Sequence, residues 1–252
     1  MRGRIPGMLF LTAGLLASAP AAAEAVKLTS LDWPPFSGAS LPLQGATTAV
    51  VQEVFKASGD AVTVEFLPWQ RAVDTALKGQ GYAGYFPEYF SKELADGSCN
   101  FSKPIGSSPL GFVELKAAPV TWATLSDLKG KAIGTVQGYV NEAEFDRMAA
   151  AGELTVDPAP DDATNLRKVA AGHLPLAVID RNVMEYLLAF DPALKAVRDK
   201  LRFNAKVLET KDLLICFRKD AAGAAARDRF DKGLAKVNVG AVMSEALSMM
   251  NR

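Results

Sequence analysis

The side chains best suited to chemistry stand where strand-like runs end. Asp32, Trp33 and Phe36 follow an alternating run at 26–31, and Pro34 and Pro35 between them stop any helix and stiffen the loop. Trp69 and Arg71 follow the run 62–67, Tyr85 and Phe86 lie at the exit of the run 82–87, and Asp180 follows the run 174–179. Gly138, Tyr139 and Asn141 form a turn between a strand-like stretch at 132–136 and a helical one at 142–151, where backbone N–H groups can meet an anion. Ser107 and Ser108 lie in a segment punctuated by Pro104, Gly106 and Pro109. Rigid rings, a cation, a carboxylate and a few hydroxyls suit the holding of a small polar molecule. Arg71 near a helix N-terminus stands against the macrodipole, as a cation placed to meet an anion would. Plainer roles stand beside these: Trp33 and Phe36 capping the core, Arg71 stacked on Trp69, Asp180 as an N-cap.

Turnover chemistry has less support. The one histidine, His173, falls in a Gly172-His173-Leu174-Pro175 turn. No Ser/His/Asp order and no cluster of metal ligands stands out, and the glycine-rich nucleotide signatures are absent. The expectation is no catalytic residue, no metal and no cofactor; Glu88 and Asp180 are the acids an enzyme on this scaffold would use.

These groups need a scaffold, and 252 residues with 49% hydrophobic content can form one large domain or two small lobes. Basic and acidic residues number 28 each and are mixed throughout, so no nucleic-acid surface is expected. Arg2 and Arg4, the apolar stretch 8–19 and Ala21-Ala22-Ala23 read as a secretory signal peptide, 1–23, with cleavage after Ala23. Its removal leaves 26 basic residues against 28 acidic. No cysteine stands directly after the apolar stretch, so no lipid anchor is expected, and no later stretch has the ~20 apolar residues of a membrane span.

The stretch 101–115 reads as a crossover, turn-bearing and then strand-like at 111–115, and 212–217 (DLLICF) reads as a return strand. Between them, 116–210 forms its own α/β unit. Two strands bracketing a unit make a hinge, with a cleft between the bodies they join. Cys99 precedes the first crossing and Cys216 lies in the second, which leaves two readings, a disulfide or two buried thiols. Helices are expected at 45–58, capped by Thr47 or Thr48, at 72–78, 142–151, 161–171 and 183–190, and from 221 to the end; 88–100 reads as irregular.

In order, the chain shows DWPPF at 32–36, PWQRA at 68–72, NFSKP at 100–104, IGTVQG at 133–138, AVID at 177–180 and DLLICFRKD at 212–220. That succession resembles the bacterial extracellular solute-binding proteins of the polar amino-acid type (family 3), and is similar to the ligand cores of ionotropic glutamate receptors. The resemblance implies an α/β, two-lobed periplasmic-binding-protein-like fold (type II) with two hinge strands. Lobe 1 would comprise 24–113 plus 214–252, and lobe 2 would be 114–213. It implies a monomer in the periplasm that closes on a small polar ligand, an amino acid or a relative, and delivers it to a membrane ABC permease. Trp33 then stands at the family's aromatic wall, Gly138 to Asn141 at its anion turn, and Asp180 at its acid for the ligand's amino group. The family's carboxylate-clamping arginine has no counterpart here, where Leu94-Ala95-Asp96 stands, and Arg71 is the candidate substitute. Two alternatives accompany this reading: a periplasmic enzyme resembling cyclohexadienyl dehydratases, or an accessory or sensor-coupled binding protein.

Overall fold

The computed structural model describes residues 25–79 and 81–250, so the expected signal peptide lies outside the described residues. The chain alternates strand and helix through β1 (Val26–Ser30), α1 (Ala46–Ser58), β2 (Val62–Phe66), α2 (Trp69–Lys78), β3 (Gly84–Glu88), α3 (Lys92–Gly97) and β4 (Cys99–Phe101). It crosses into β5 (Gly106–Leu115), β6 (Ala132–Val136), α4 (Ala143–Ala150), β7 (Thr155–Ala159), α5 (Asp162–Ala170), β8 (Leu176–Asp180), α6 (Arg181–Phe190) and β9 (Leu201–Phe203). It returns in β10 (Glu209–Arg218) and ends in α7 (Ala221–Leu234) and α8 (Val239–Met250).

The strands follow the order β2-β1-β3-β10-β5-β8-β6-β7, with β4 on β10 and β9 on β5. β1 runs parallel to β2 and β3, and β6 parallel to β7 and β8. β10 belongs to both halves. Its residues 209–213 pair with β5, whereas 214–218 pair with β3 and β4, with a register shift between Leu214 and Cys216. Two α/β lobes result, joined by the stretch 102–105 and by β10. The boundary read at 113/114 falls inside β5, whose pairing with β8 begins at Leu110.

Periodicity explains why these segments become these elements. β8 (LAVID) is buried throughout: Leu176 and Val178 face one apolar cluster, Ala177 and Ile179 another, as expected of a strand covered on both faces. In α2 the inward positions are Trp69, Ala72 and Ala76. The first lobe closes around Leu28, Val50, Phe55, Phe86, Phe217 and Phe230.

Several elements differ from expectation. The N-cap of α1 is Gly45 at φ 101, where an added Cβ would strike the Phe36 carbonyl, and Thr47 instead donates its hydroxyl to that carbonyl at 2.7 Å. The stretch 88–100 contains α3, capped by Ser91. β7 was not among the expected strands; Pro158 sits inside it, tolerated because β7 is an edge strand. The C-terminal helix is two helices, α7 and α8. Cys99 and Cys216 form a disulfide with a Cα separation of 4.9 Å, which ties β4 to β10.

Candidate functional site

The lobes meet at the C-terminal ends of β1, β3, β6 and β8, the position where α/β sheets present loops to ligands. From the first lobe, the DWPPF loop closes on itself through paired Trp33–Ser37 backbone bonds of 2.8 and 3.1 Å. This holds the Trp33 indole against the second lobe, where its Nε1–H donates to Asp162 Oδ2 at 3.2 Å. Trp69, the first residue of α2, donates its Nε1–H to the Gly138 carbonyl at 2.9 Å, and Gln70 reaches the Gln137 carbonyl at 3.3 Å. Tyr89, just past β3, donates its hydroxyl to Asp180 Oδ2 at 3.0 Å. Among the described residues these four hydrogen bonds cross the seam, each from a first-lobe donor to a second-lobe acceptor.

Between them lies a cavity lined by Trp33, Trp69, Glu88, Tyr89, Tyr139 and Val140 among others, with about 30 Å³ free. A second cavity, bordered by Asp162, Asp180, Asn141 and Leu110, continues from it past Trp33, Tyr89 and Tyr139. The rings stand nearly perpendicular: Tyr139 meets Trp69 at 5.5 Å and 81°, and Trp33 at 6.5 Å and 88°. Trp33 meets Tyr89 at 6.1 Å and 77°.

Three carboxylates are buried here. Glu88 is 5% exposed, Asp162 6% and Asp180 2%. Burial pushes the Glu88 carboxyl up to about 8, against the opposing pull of the Tyr89 N–H, the Tyr85 hydroxyl and Lys211. Burial likewise raises Asp162 to about 7, with its Trp33 bond acting the other way and Asp180 and Asp161 adding to the rise. Asp180 is raised to about 6 by burial, despite accepting from Ser108 at 2.8 Å, from Tyr89 and from the Asn182 and Val183 N–H groups. It is therefore also the N-cap of α6. The Tyr89 and Tyr139 hydroxyls are held well above their usual range, chiefly by burial. Among the described residues the ammonium recorded against this site is that of Lys211, which lies 5.5 Å from the Tyr89 ring centre and is paired with Glu209 at 3.0 Å.

The structure brings Trp33, Trp69, Ser108, Gly138, Tyr139, Asn141 and Asp180 to this seam. Gly138 takes a left-handed φ of 77°, and its carbonyl faces the first lobe as an acceptor. Asn141 is tied to Asp146 by two bonds of 2.8 Å. Tyr85 sits behind the cavity, edge-on to Trp69 at 5.5 Å, while Phe36 and Phe86 belong to the first-lobe core. Asp32, Arg71 and Ser107 are exposed and do not reach the seam. Asp32 instead accepts the Ala39 N–H at 2.9 Å.

Tyr89 and Asp162 were not expected, and Glu88 only as an enzyme's acid. β3 runs Gly84–Glu88, so its exit presents Glu88 and Tyr89 rather than Tyr85 and Phe86. Asp162 follows the unexpected β7 and opens α5 behind its N-cap Asp161. Among the described residues, no group of three or more His, Cys, Asp or Glu is arranged to hold a metal ion, and no helix is long and apolar enough to cross a membrane.

Neither a protein-family model nor a curated protein matches the sequence. Solved structures do match the fold. A histidine kinase sensor domain described as similar to periplasmic binding proteins superposes with TM-score 0.74 at 16% identity, covering 90% of this chain and 96% of that one. An ancestral arginine-binding protein bound to arginine gives 0.71 at 16% identity, covering 90% and 98%. An amino-acid ABC transporter substrate-binding protein from Streptococcus pneumoniae bound to L-arginine gives 0.69 at 14%, covering 89% and 95%. The chain has the two-lobed α/β fold of the periplasmic binding proteins, as the sequence led us to expect, although of its two connections only β10 is a strand and the other, 102–105, is irregular.

Proposed function

We propose that this chain is an extracytoplasmic solute-binding protein whose lobes close over a small polar molecule and release it by opening. The observation that carries the reading is the seam itself. Aromatic and acidic side chains from both lobes converge at the strand ends, so a molecule held there touches both lobes and favours the closed arrangement. The moving bodies in this reading are the two half-sheets with their helices. The switch lies at 102–105 and between Leu213 and Leu214, so β5 travels with the second lobe. Trp33, Trp69, Tyr89 and Tyr139 form the walls, and Glu88, Asp162 and Asp180 are the charged contacts. Delivery to a membrane ABC permease completes the transport reading, which the amino-acid transporter protein among the structural neighbours supports. The sensor domain among those neighbours supports a second reading, in which the closed form is recognised by a signalling partner.

Two of the three tryptophans lie in the seam, so ligand entry changes the indole emission. The test is a screen of amino acids, amines, carboxylates, sugars and cyclic acids by tryptophan fluorescence and thermal shift, because a ligand of the folded state raises its melting temperature. A solute that shifts both signals and is recovered unchanged supports binding. Conversion of the solute would move the reading to an enzyme, and silence across the classes would remove it.

A further inference from the structure

We infer that the ligand is a small organic cation, held by ring faces and buried carboxylates and not clamped through an α-carboxylate. The inference rests on the solute-binding reading above and names the chemistry of that site.

The charge at the seam carries it first. Glu88, Asp162 and Asp180 are each more than nine-tenths buried and line the two linked cavities. None is within ion-pair distance of a cationic side chain among the described residues, and Lys211 is already paired with Glu209. Buried carboxylates without a cationic partner are costly, and a cation entering between them relieves that cost. Asp162 points the same way: among the described residues only Trp33 donates to it, through Oδ2, which leaves Oδ1 without a partner. Burial raises all three carboxyls, and only at Glu88 does a cation, Lys211, pull the other way, so a positive charge entering between them meets groups that gain from it.

The rings supply a second, independent argument. Trp33, Trp69, Tyr89 and Tyr139 all line the first cavity and meet one another nearly perpendicular, a cluster of four electron-rich rings around one small space. A face of an indole or phenol ring attracts a cation, most strongly when water is excluded. The site already contains one such contact, Lys211 over Tyr89. Arg71, which would have favoured an anion, lies exposed on α2.

The seam bonds show how binding would proceed. Asp162 and Asp180 each accept a neutral first-lobe donor, Trp33 N–H or Tyr89 O–H. The lobes part to admit the ligand, since about 30 Å³ is room for only a water or two. The ligand's ammonium then replaces one or both neutral donors with a charged partner, and both lobes hold it.

The test compares cations with neutral molecules of the same shape, by titration calorimetry on the purified protein. Choline is paired with 3,3-dimethyl-1-butanol and putrescine with 1,4-butanediol, and L-glutamate, L-glutamine and acetate complete the set. We expect at least one cation to bind a hundredfold or more tighter than its neutral counterpart, and Asp162→Asn to weaken it tenfold or more. Asp74→Asn, at an exposed position on α2, leaves the affinity unchanged. The isostere comparison needs no variant, so a poorly folding Asp162→Asn protein does not remove the test. Equal affinity for cation and neutral isostere, or binding of glutamate, glutamine or acetate alone, overturns the inference and keeps the solute-binding reading. Silence with every compound here and in the wider screen overturns both.

Discussion

Replacing Glu88 with glutamine removes a buried charge with almost no change of volume. Glu88 accepts the Tyr89 N–H at 2.7 Å and the Tyr85 hydroxyl at 3.2 Å. The glutamine carbonyl oxygen keeps the first bond, and its amide can donate to the Tyr85 oxygen once that hydroxyl rotates. The variant therefore stands in for the protonated acid. The wild-type carboxyl goes from an ordinary value of 4.5 to about 8 on folding, so between these values the folded state binds the proton that the unfolded state has lost. Stability then falls as pH rises through that window, with the full contribution retained only below about 4.5. At pH 7 the cost is on the order of 3 kcal/mol, undiscounted because the side chain is 5% exposed. At about 2–4 °C per kcal/mol for a chain of this size, Glu88→Gln melts roughly 6–12 °C above wild type at pH 7. The gap widens toward pH 8 and closes near pH 4.5. Melting curves of both proteins from pH 4.5 to 8, without added solute, give the answer, because other titrating groups cancel in the difference. A gap that does not grow with pH, or a variant less stable at pH 8, would refute the argument that this acid is buried without its countercharge.

Two further outcomes follow from the fold. The Cys99–Cys216 disulfide closes a loop of 117 residues, for which loop-closure entropy gives a stabilisation of roughly 4–5 kcal/mol. Urea unfolding of the Cys99→Ser, Cys216→Ser double variant should show most of that loss, and a loss under about 1 kcal/mol would contradict the loop argument. Gly138→Ala places a side chain at φ 77° and drives its Cβ into the Gln70 amide, so it should cost about 1–2 kcal/mol in the same assay. Because the Gln70–Gln137 bond is exposed, Gln70→Ala alone should cost little, and adding it to Gly138→Ala should not restore the loss; restoration would place the cost in the contact and not in the backbone.

Much of the fold was legible because it rests on local pattern: the alternation of β1 and β2, the apolar run of β8, and the glycine and proline punctuation around the crossing strands. The disulfide stayed open in the sequence because it depends on β4 and β10 pairing, which no spacing reports. β7 was hidden by a proline that only its edge position makes acceptable. The site was legible as a place and not as a charge, and register is the reason. Arg71 read as an anion partner when α2 was expected to begin at Ala72. With α2 beginning at Trp69, Trp69 and Ala72 turn inward and Arg71, about 200° around from Trp69, turns out. At β3 the exit moved by a residue or two, replacing Phe86 with Glu88 and Tyr89. At α5 the exposed Asp161 caps the helix and its neighbour Asp162 is the buried one; at the first loop Asp32 is exposed and Trp33 is buried. Each is a choice between residues one or two positions apart, and element ends are the quantity sequence pattern fixes least well. Three of these changed the site's charge the same way, since Arg71 left the seam and Glu88 and Asp162 entered it beside rings; at the first loop an acid, Asp32, stayed out. A motif carried over by position alone therefore assigns the site an anion-binding arginine, whereas the register that folding selects gives it buried carboxylates.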